Sequence, residues 1–423
     1  MSLLIRNARV LDPASGLDAV SNVFVQNGEI REVGQKLSSA DEVIDASGQW
    51  LMPGAIDLGC WLREPGLDHK ATIASEMQAA AASGITTLCY QPEPAVTVDN
   101  SAQVNLIQDL SWDVQCANVE VIGNLTQKLE GLQLSNMGGL KKSGCVAVSN
   151  GWQPFENLNT LRKAMEYATT HDFTVFVFPF EHALANAGCV HEGPVSTRLG
   201  LPGIPSAAET VAVAQALALI ELTGTRVHFC RLSAAGSVRL IREAKRNGLQ
   251  VTADVAAHQL FLTENDMLDY NPLCHVIPPL RAESDRDALL DGLQDGTIDA
   301  ICSDHQPHEA DAKMAPLQQT EPGISGLETL LPLTLRLVEG GVLSALDAIN
   351  KITFQPARII ANEAGKILPH SPADLVLFDP DLLWDFSLEK MRSRGKNSPF
   401  TGWSFQGGVT TTFLAGKRVH TLD

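Results

Sequence analysis

The stretch Asp304-His305-Gln-Pro-His308 sets one carboxylate and two imidazoles in a single short segment. Groups of this kind bind divalent metals and carry protons in hydrolytic chemistry. A mononuclear metal site built on them needs convergent partners. Apart from His258, the other histidines fall elsewhere, at His69, His171, His182, His191, His228, His275, His370 and His420. His182 and His191 flank a glycine-containing loop near Glu181 and Glu192, a second place for a metal, though surface or loop histidines are the plainer reading. A nucleophilic mechanism needs Ser or Cys beside a base. Cys60 and Cys230 lie near strand ends, where His258 or His308 would have to approach them. In a strand of period 2, Cys60 points away from the side that Gly59 and Trp61 face. Arg231 and Asp304 also stand at strand ends facing one cavity, and the expectation is that they pair.

The elements that place these residues are apolar runs spaced along the middle of the chain. Strand candidates cover 55–60, 86–90, 119–123, 145–148, 174–178, 226–230, 250–255 and 299–302. Near-continuous apolar runs suit parallel strands buried on both faces. Helix-like stretches lie between them at 72–82, 158–169, 207–222, 234–247 and 284–294, with Thr223-Gly224 as a stop signal for the third. Further helices are expected at 326–338 and 343–353. The pattern predicts a (β/α)8 barrel over residues 53–365, with function at the C-terminal strand ends. A doubly wound open sheet is the alternative, but no Gly-x-Gly-x-x-Gly fingerprint supports it. Residues 1–52 and 366–423 alternate instead as short strands. They are expected to pair into one small β-sandwich domain, with the barrel inserted between its halves.

Composition narrows the classes of partner. A net charge of −18 argues against nucleic acid, whose phosphates require clustered Lys and Arg. No run of 18 uncharged apolar residues suggests a membrane span. The N-terminal Met1-Ser-Leu-Leu-Ile-Arg lacks the layout of a signal peptide. None of the eight cysteines forms a Cys-x-x-Cys pair. They read as reduced, buried small hydrophobes of a cytoplasmic protein.

In this order along the chain, the segments Pro53-Gly-Ala-Ile-Asp57, Leu62-Arg-Glu-Pro-Gly66, Gly203-Ile-Pro-Ser-Ala-Ala-Glu209, Pro278-Pro-Leu-Arg281, Asp295 to His308, Gly326-Leu-Glu-Thr329, Ala373-Asp-Leu375 and Lys396-Asn-Ser-Pro399 carry a resemblance. Together they resemble the amidohydrolase superfamily and, within it, the dihydroorotases. The resemblance implies opening or closing of a cyclic amide by one or two divalent metals, usually zinc, that polarise a carbonyl and activate water. The ligands it implies are largely missing. Its His-x-His after the first strand is Gly59-Cys60-Trp61, and its bridging carboxylate falls in Val148-Ser-Asn150-Gly151. Its histidines after the fifth and sixth strands align with Phe178 and Arg231, and the eighth-strand aspartate is kept as Asp304. Trp61 and Phe178 read as apolar filling of the vacated space.

The substrate contacts are mixed. Arg63 aligns with a carboxylate-binding arginine, while Glu93 stands where an asparagine is expected and would repel an anion. His258 and His308 are kept, and Ile277 replaces another asparagine. Arg63, His258 and His308 form either a residual anion pocket or an inherited hydrogen-bonding network. The expectation is a pseudoenzyme with no catalytic residues, no metal and no cofactor. The resemblance extends to inactive dihydroorotase-like subunits associated with bacterial aspartate transcarbamoylase. It implies a structural partner of that enzyme's catalytic subunit in pyrimidine biosynthesis, and the chain is expected to form a homodimer. Two alternatives stay open: an amidohydrolase with altered or metal-independent chemistry, and a metabolite-binding sensor.

Overall fold

The structure is a computed structural model and describes residues 2–35 and 39–422. Met1 and Asp423, the ends of the sequence-based ranges, lie outside the described residues. Eight parallel strands form the centre: Ala55–Cys60, Ile85–Tyr90, Asn118–Asn124, Ala147–Ser149, Thr174–Val177, Val227–Phe229, Val251–Ala256 and Ala300–Cys302. Each pairs with its neighbour in chain order. The ring closes where Trp61 N–H donates to His305 O and His305 N–H donates to Gly59 O, both at 3.0 Å. This closure excludes the open doubly wound sheet.

Every expected strand exists, although several are shorter than expected. The fourth, sixth and eighth each keep only three residues in regular pairing. The apolar runs extend further because the barrel also buries the irregular backbone beyond the ladder.

Local chemistry explains the helix ends. Helix Ile73–Ala82 starts at Thr72, whose hydroxyl accepts from Ser75 N–H, and helix Leu158–Thr170 starts at Asn157, which accepts from Thr160 N–H. Helix Ala207–Thr223 stops at Gly224, which takes φ +68°, a conformation that glycine adopts without a side-chain clash. Helix Ser101–Trp112, capped by Asn100, was not expected. It buries only Val104 and Ile107, which leaves little apolar periodicity to read.

The terminal segments meet as anticipated. Trp50–Pro53 pairs antiparallel with Leu375–Phe378, so the two ends of the chain share one eight-stranded mixed sheet. Leu3, Ile5, Val23, Val25, Leu51, Leu375 and Leu377 close on a core of their own. Met52, Val376 and Phe378, from alternating positions, join the core that surrounds the barrel. Among the described residues no helix is long and apolar enough to cross a membrane.

Candidate functional site

Arg231 leaves the sixth strand with φ +54° and Asp304 leaves the eighth with φ +48°. Left-handed backbone at non-glycine residues costs about 1 kcal/mol or more, so the surrounding structure must hold it there. Asp254 of the seventh strand does so for Arg231 by accepting its backbone N–H. Arg231 Nε stands 3.3 Å from Asp304 Oδ1, and both side chains are almost wholly buried. The expected pair therefore forms. The guanidinium also lies 4.8 Å from the Trp61 ring and 4.7 Å from the Phe178 ring. Gly59 completes this cluster: a Cβ there would come within 3.6 Å of Arg231 Nη1.

Burial dominates the charge balance. It pushes the Asp304 carboxyl up to about 7, against the opposing pull of Arg231. The attraction of Asp304 keeps the Arg231 guanidinium protonated in spite of its burial.

These residues do not fit a divalent metal. A permanent cation sits between two aromatic faces, and the one carboxylate present is already its partner. Asn150 lines the same groove as Phe178, and its polar atoms are spent on the neighbouring loop rather than on Arg231 or Asp304. Its side chain accepts from Thr126 Oγ1 at 2.6 Å and donates to Gln153 O at 3.0 Å, which shapes the loop after the fourth strand.

The expected anion pocket is closed from within. Arg63, at φ +65°, binds Glu93 with Nη1 to Oε2 at 2.6 Å, and both are buried. His308 Nδ1 accepts from Lys70 Nζ at 3.2 Å, while Nε2 donates to Pro322 O at 3.0 Å. Burial and the charges of Arg63, Lys70 and Lys313 hold His308 down to about 2, so it is neutral near pH 7. His258 stays out of this group. It is buried, held down to about 3 by desolvation, and neither ring nitrogen has a hydrogen-bond partner among the described residues. Arg63, Glu93 and His308 thus spend their donors and charges mainly on one another and on nearby backbone, and only Oε1 of Glu93 in this group is buried without a hydrogen-bond partner among the described residues.

The other proposed metal groupings also separate. His305 Nε2 meets Glu76 at 2.8 Å, Asp304 meets Arg231, and His308 turns to Lys70. His182 Nε2 contacts Trp152 O at 2.6 Å, and His191 Nδ1 faces Arg281 Nη1 at 3.2 Å. A grouping that the sequence reading missed is His228, Cys230 and Asp254, inside the barrel. It is already closed by hydrogen bonds. His228 spans Asp254 and Thr252, each at 2.9 Å, and Asp254 also accepts from Arg231 N–H. The period-2 alternation of His228 and Cys230 on one strand, two residues apart, was the available signal.

Cys60 joins the core outside the barrel, while Gly59 faces Arg231, as expected, but a register irregularity between Asp57 and Cys60 sets this, because Ile56 and Leu58 of the same strand already face the barrel interior. Burial pushes the Cys60 and Cys230 thiols up, which removes the thiolate that a nucleophile needs.

Many of the motif residues hold the architecture. Asp57 accepts from Ser303 N–H at 2.9 Å and so ties the first strand to the eighth. Glu209 accepts from Ser233 N–H and Ala234 N–H, each at 3.0 Å. Asn397 accepts from His308 N–H at 2.8 Å and donates to Gln306 O at 2.9 Å. At Gly54 a Cβ would lie 2.1 Å from Thr86 Oγ1, so a larger residue cannot fit without moving the second strand.

Residues 45–419 match the amidohydrolase family. The chain belongs to that family. Its relatives include a dihydroorotase-like protein of Pseudomonas aeruginosa, 43% identical over 99% of this chain and 100% of the relative. A dihydroorotase of Geobacter metallireducens is 41% identical over 99% of this chain and 100% of its own length. Among solved structures, the L-hydantoinase (dihydropyrimidinase) from Arthrobacter aurescens superposes with a TM-score of 0.89 at 22% identity, covering 100% of this chain and 97% of that one. That likeness establishes the fold. The chain is accordingly a dihydroorotase-like amidohydrolase in sequence and a barrel amidohydrolase in architecture.

Proposed function

We propose that this dihydroorotase-like protein is a pseudoenzyme that serves as a structural subunit for aspartate transcarbamoylase in pyrimidine biosynthesis. The observation that carries the reading is the Arg231–Asp304 pair between Trp61 and Phe178. A metal-dependent amidohydrolase needs a dication and an activated water at its barrel mouth. Arg231 supplies a fixed cation there that can neither bind nor polarise a hydroxide as a metal does. The five positions Gly59, Trp61, Asn150, Phe178 and Arg231 offer no carboxylate, imidazole or thiolate. The assembly role and the cytoplasmic location rest on the likeness to inactive dihydroorotase-like subunits.

The test combines metal content, turnover and native mass. The purified protein should contain less than stoichiometric zinc and turn over neither dihydroorotate nor carbamoyl aspartate. It should co-migrate with the transcarbamoylase catalytic subunit on gel filtration at micromolar concentration. Two folded proteins that elute separately would sink the assembly role. Turnover above a protein-free control would sink the pseudoenzyme. A metal-independent hydrolase is the second reading, favoured by one feature: Asp304, pushed up to about 7, is poised to exchange a proton near neutral pH.

A further inference from the structure

Helix Leu327–Glu339 carries Pro332 in its interior. Proline has no N–H, so the helix lacks the hydrogen bond that this position would otherwise give to the carbonyl of Glu328. Glu328 and Pro332 both line a cavity of about 450 Å³ between the barrel and the terminal sheet. Strand Leu375–Asp385 supplies another wall with Phe378, Leu382 and Trp384. The neighbouring strand, Ser404–Leu414, bares its backbone there. A Cβ at Gly407 would collide with the Phe378 ring, and one at Gly408 with Leu382. The Trp384 ring is fixed, because its Nε1–H donates to Gly407 O at 2.9 Å and it packs 5.3 Å from the Phe405 ring. The cavity is thus preformed. It shares no residue with the Arg231–Asp304 cluster or with the network around Arg63.

The lining divides by polarity. Leu331, Phe378, Leu382, Trp384, Val409 and Leu422 make it largely apolar. Its charged residues are Glu328, Lys390 and Arg392, beside the imidazole of His420. The Glu328 carboxylate is already engaged, accepting from Arg392 N–H at 2.7 Å and from Ser393 N–H at 3.2 Å. Lys390 and Arg392 are exposed, and neither side chain has a hydrogen-bond or ion-pair partner among the described residues. The chain carries −18 overall, so two unengaged cations beside an apolar cavity mark a local preference for an anion.

We propose that this cavity binds an amphipathic carboxylate, a small molecule with an apolar body and one anionic end. Leu331, Phe378 and Trp384 enclose the body, and Lys390 and Arg392 take the carboxylate at the exposed rim. The size fits, since small-molecule sites span about 300–1,000 Å³. So does the character, because such sites are mostly apolar, carry a few placed polar groups and favour junctions between domains. The orientation follows from charge. The Glu328 carbonyl, without its regular helical donor, is an acceptor that disfavours an anion, as is the Glu328 carboxylate. Helix Ile73–Ala82 also ends at this cavity, where Ala82 and Ser83 line it. A helix C-terminus carries partial negative charge. These groups turn an anionic end away from themselves and toward Lys390 and Arg392, whose guanidinium suits a carboxylate. A neutral ligand of the same shape leaves both cations unengaged.

The test is isothermal titration calorimetry of the full chain with octanoate as probe and 1-octanol as the neutral control. The wild type should bind one octanoate per chain, at least about tenfold more tightly than 1-octanol. The double variant Lys390→Glu, Arg392→Glu should bind octanoate at least about tenfold more weakly and 1-octanol unchanged. Both residues are exposed, so its circular dichroism should match the wild type. Ala82→Phe, which sets a ring into the cavity, should weaken both ligands at least about tenfold. No saturable octanoate binding to the wild type overturns the proposal. So does octanoate binding that the double variant leaves unchanged, because the carboxylate then lies elsewhere. Equal affinity for octanol and octanoate also overturns it, since the rim cations then select nothing.

Discussion

Replacing Arg231 by methionine keeps most of the contact with Trp61 and Phe178 but removes the charge 3.3 Å from Asp304. Deleting one partner of a buried ion pair costs about 3–5 kcal/mol, because the other charge stays buried without compensation. The cost must depend on pH. The Asp304 carboxyl lies at about 7 in the folded protein against an ordinary 3.8. An acid raised in this way binds its proton more tightly when folded. In the wild type its contribution to stability is therefore greatest at low pH, falls as pH rises from about 4 to about 7, and then levels off. Without Arg231 the folded value moves higher still, and the fall continues above pH 7 at about 1.4 kcal/mol per pH unit. The penalty of Arg231→Met should thus be small near pH 5, where Asp304 is protonated with or without its partner. At about 1.4 kcal/mol per pH unit it should reach about 3 kcal/mol near pH 9. Denaturant unfolding of both proteins at acidic, neutral and alkaline pH measures it. Adding Asp304→Asn to the variant should abolish the pH dependence. A penalty below about 1 kcal/mol at alkaline pH, or one that is the same at every pH, refutes the ion-pair account.

Three further outcomes follow from the same geometry. Gly59→His should cost about 1–3 kcal/mol, since a Cβ there already lies 3.1 Å from Cys302 Sγ and the ring has nowhere to go. Combined with Trp61→His, it should restore no zinc-dependent turnover of dihydroorotate; such turnover would show that the site lies elsewhere. Glu93→Gln strips the counter-charge from buried Arg63 and should cost about 3 kcal/mol in unfolding free energy. Orotate-like anions should leave the melting point of the wild type unchanged, because Glu93 already occupies Arg63. A rise that grows with ligand concentration would support the sensor reading instead.

The fold was legible because its signals are local. Eight apolar runs, the helical segments between them and the Gly224 stop all appear where expected. The site was only partly legible. Arg231 and Asp304 could be paired on paper because both end strands on the same rim of a barrel. The partners of Asn150 were not legible, since a loop side chain can turn to nearby backbone as easily as to a charged neighbour. His258 and His308 look alike in sequence, yet one is enclosed without polar partners and the other sits among three cations.

By itself the sequence determined the barrel, its inserted position and the residue types at the strand ends. Periodicity and side-chain chemistry are properties of the chain, and Gly59, Trp61 and Phe178 lack metal-binding atoms in any fold. Only the tertiary structure decided which charges meet at Arg63 and at His308. Arg63 and Glu93 are 30 residues apart, and Lys70 and His308 are 238 apart. Whether a cation binds a ligand or its own neighbour depends on distances of a few ångströms across the barrel mouth. Coulomb energy in a buried site changes steeply over that range, and spacing along the chain does not encode it.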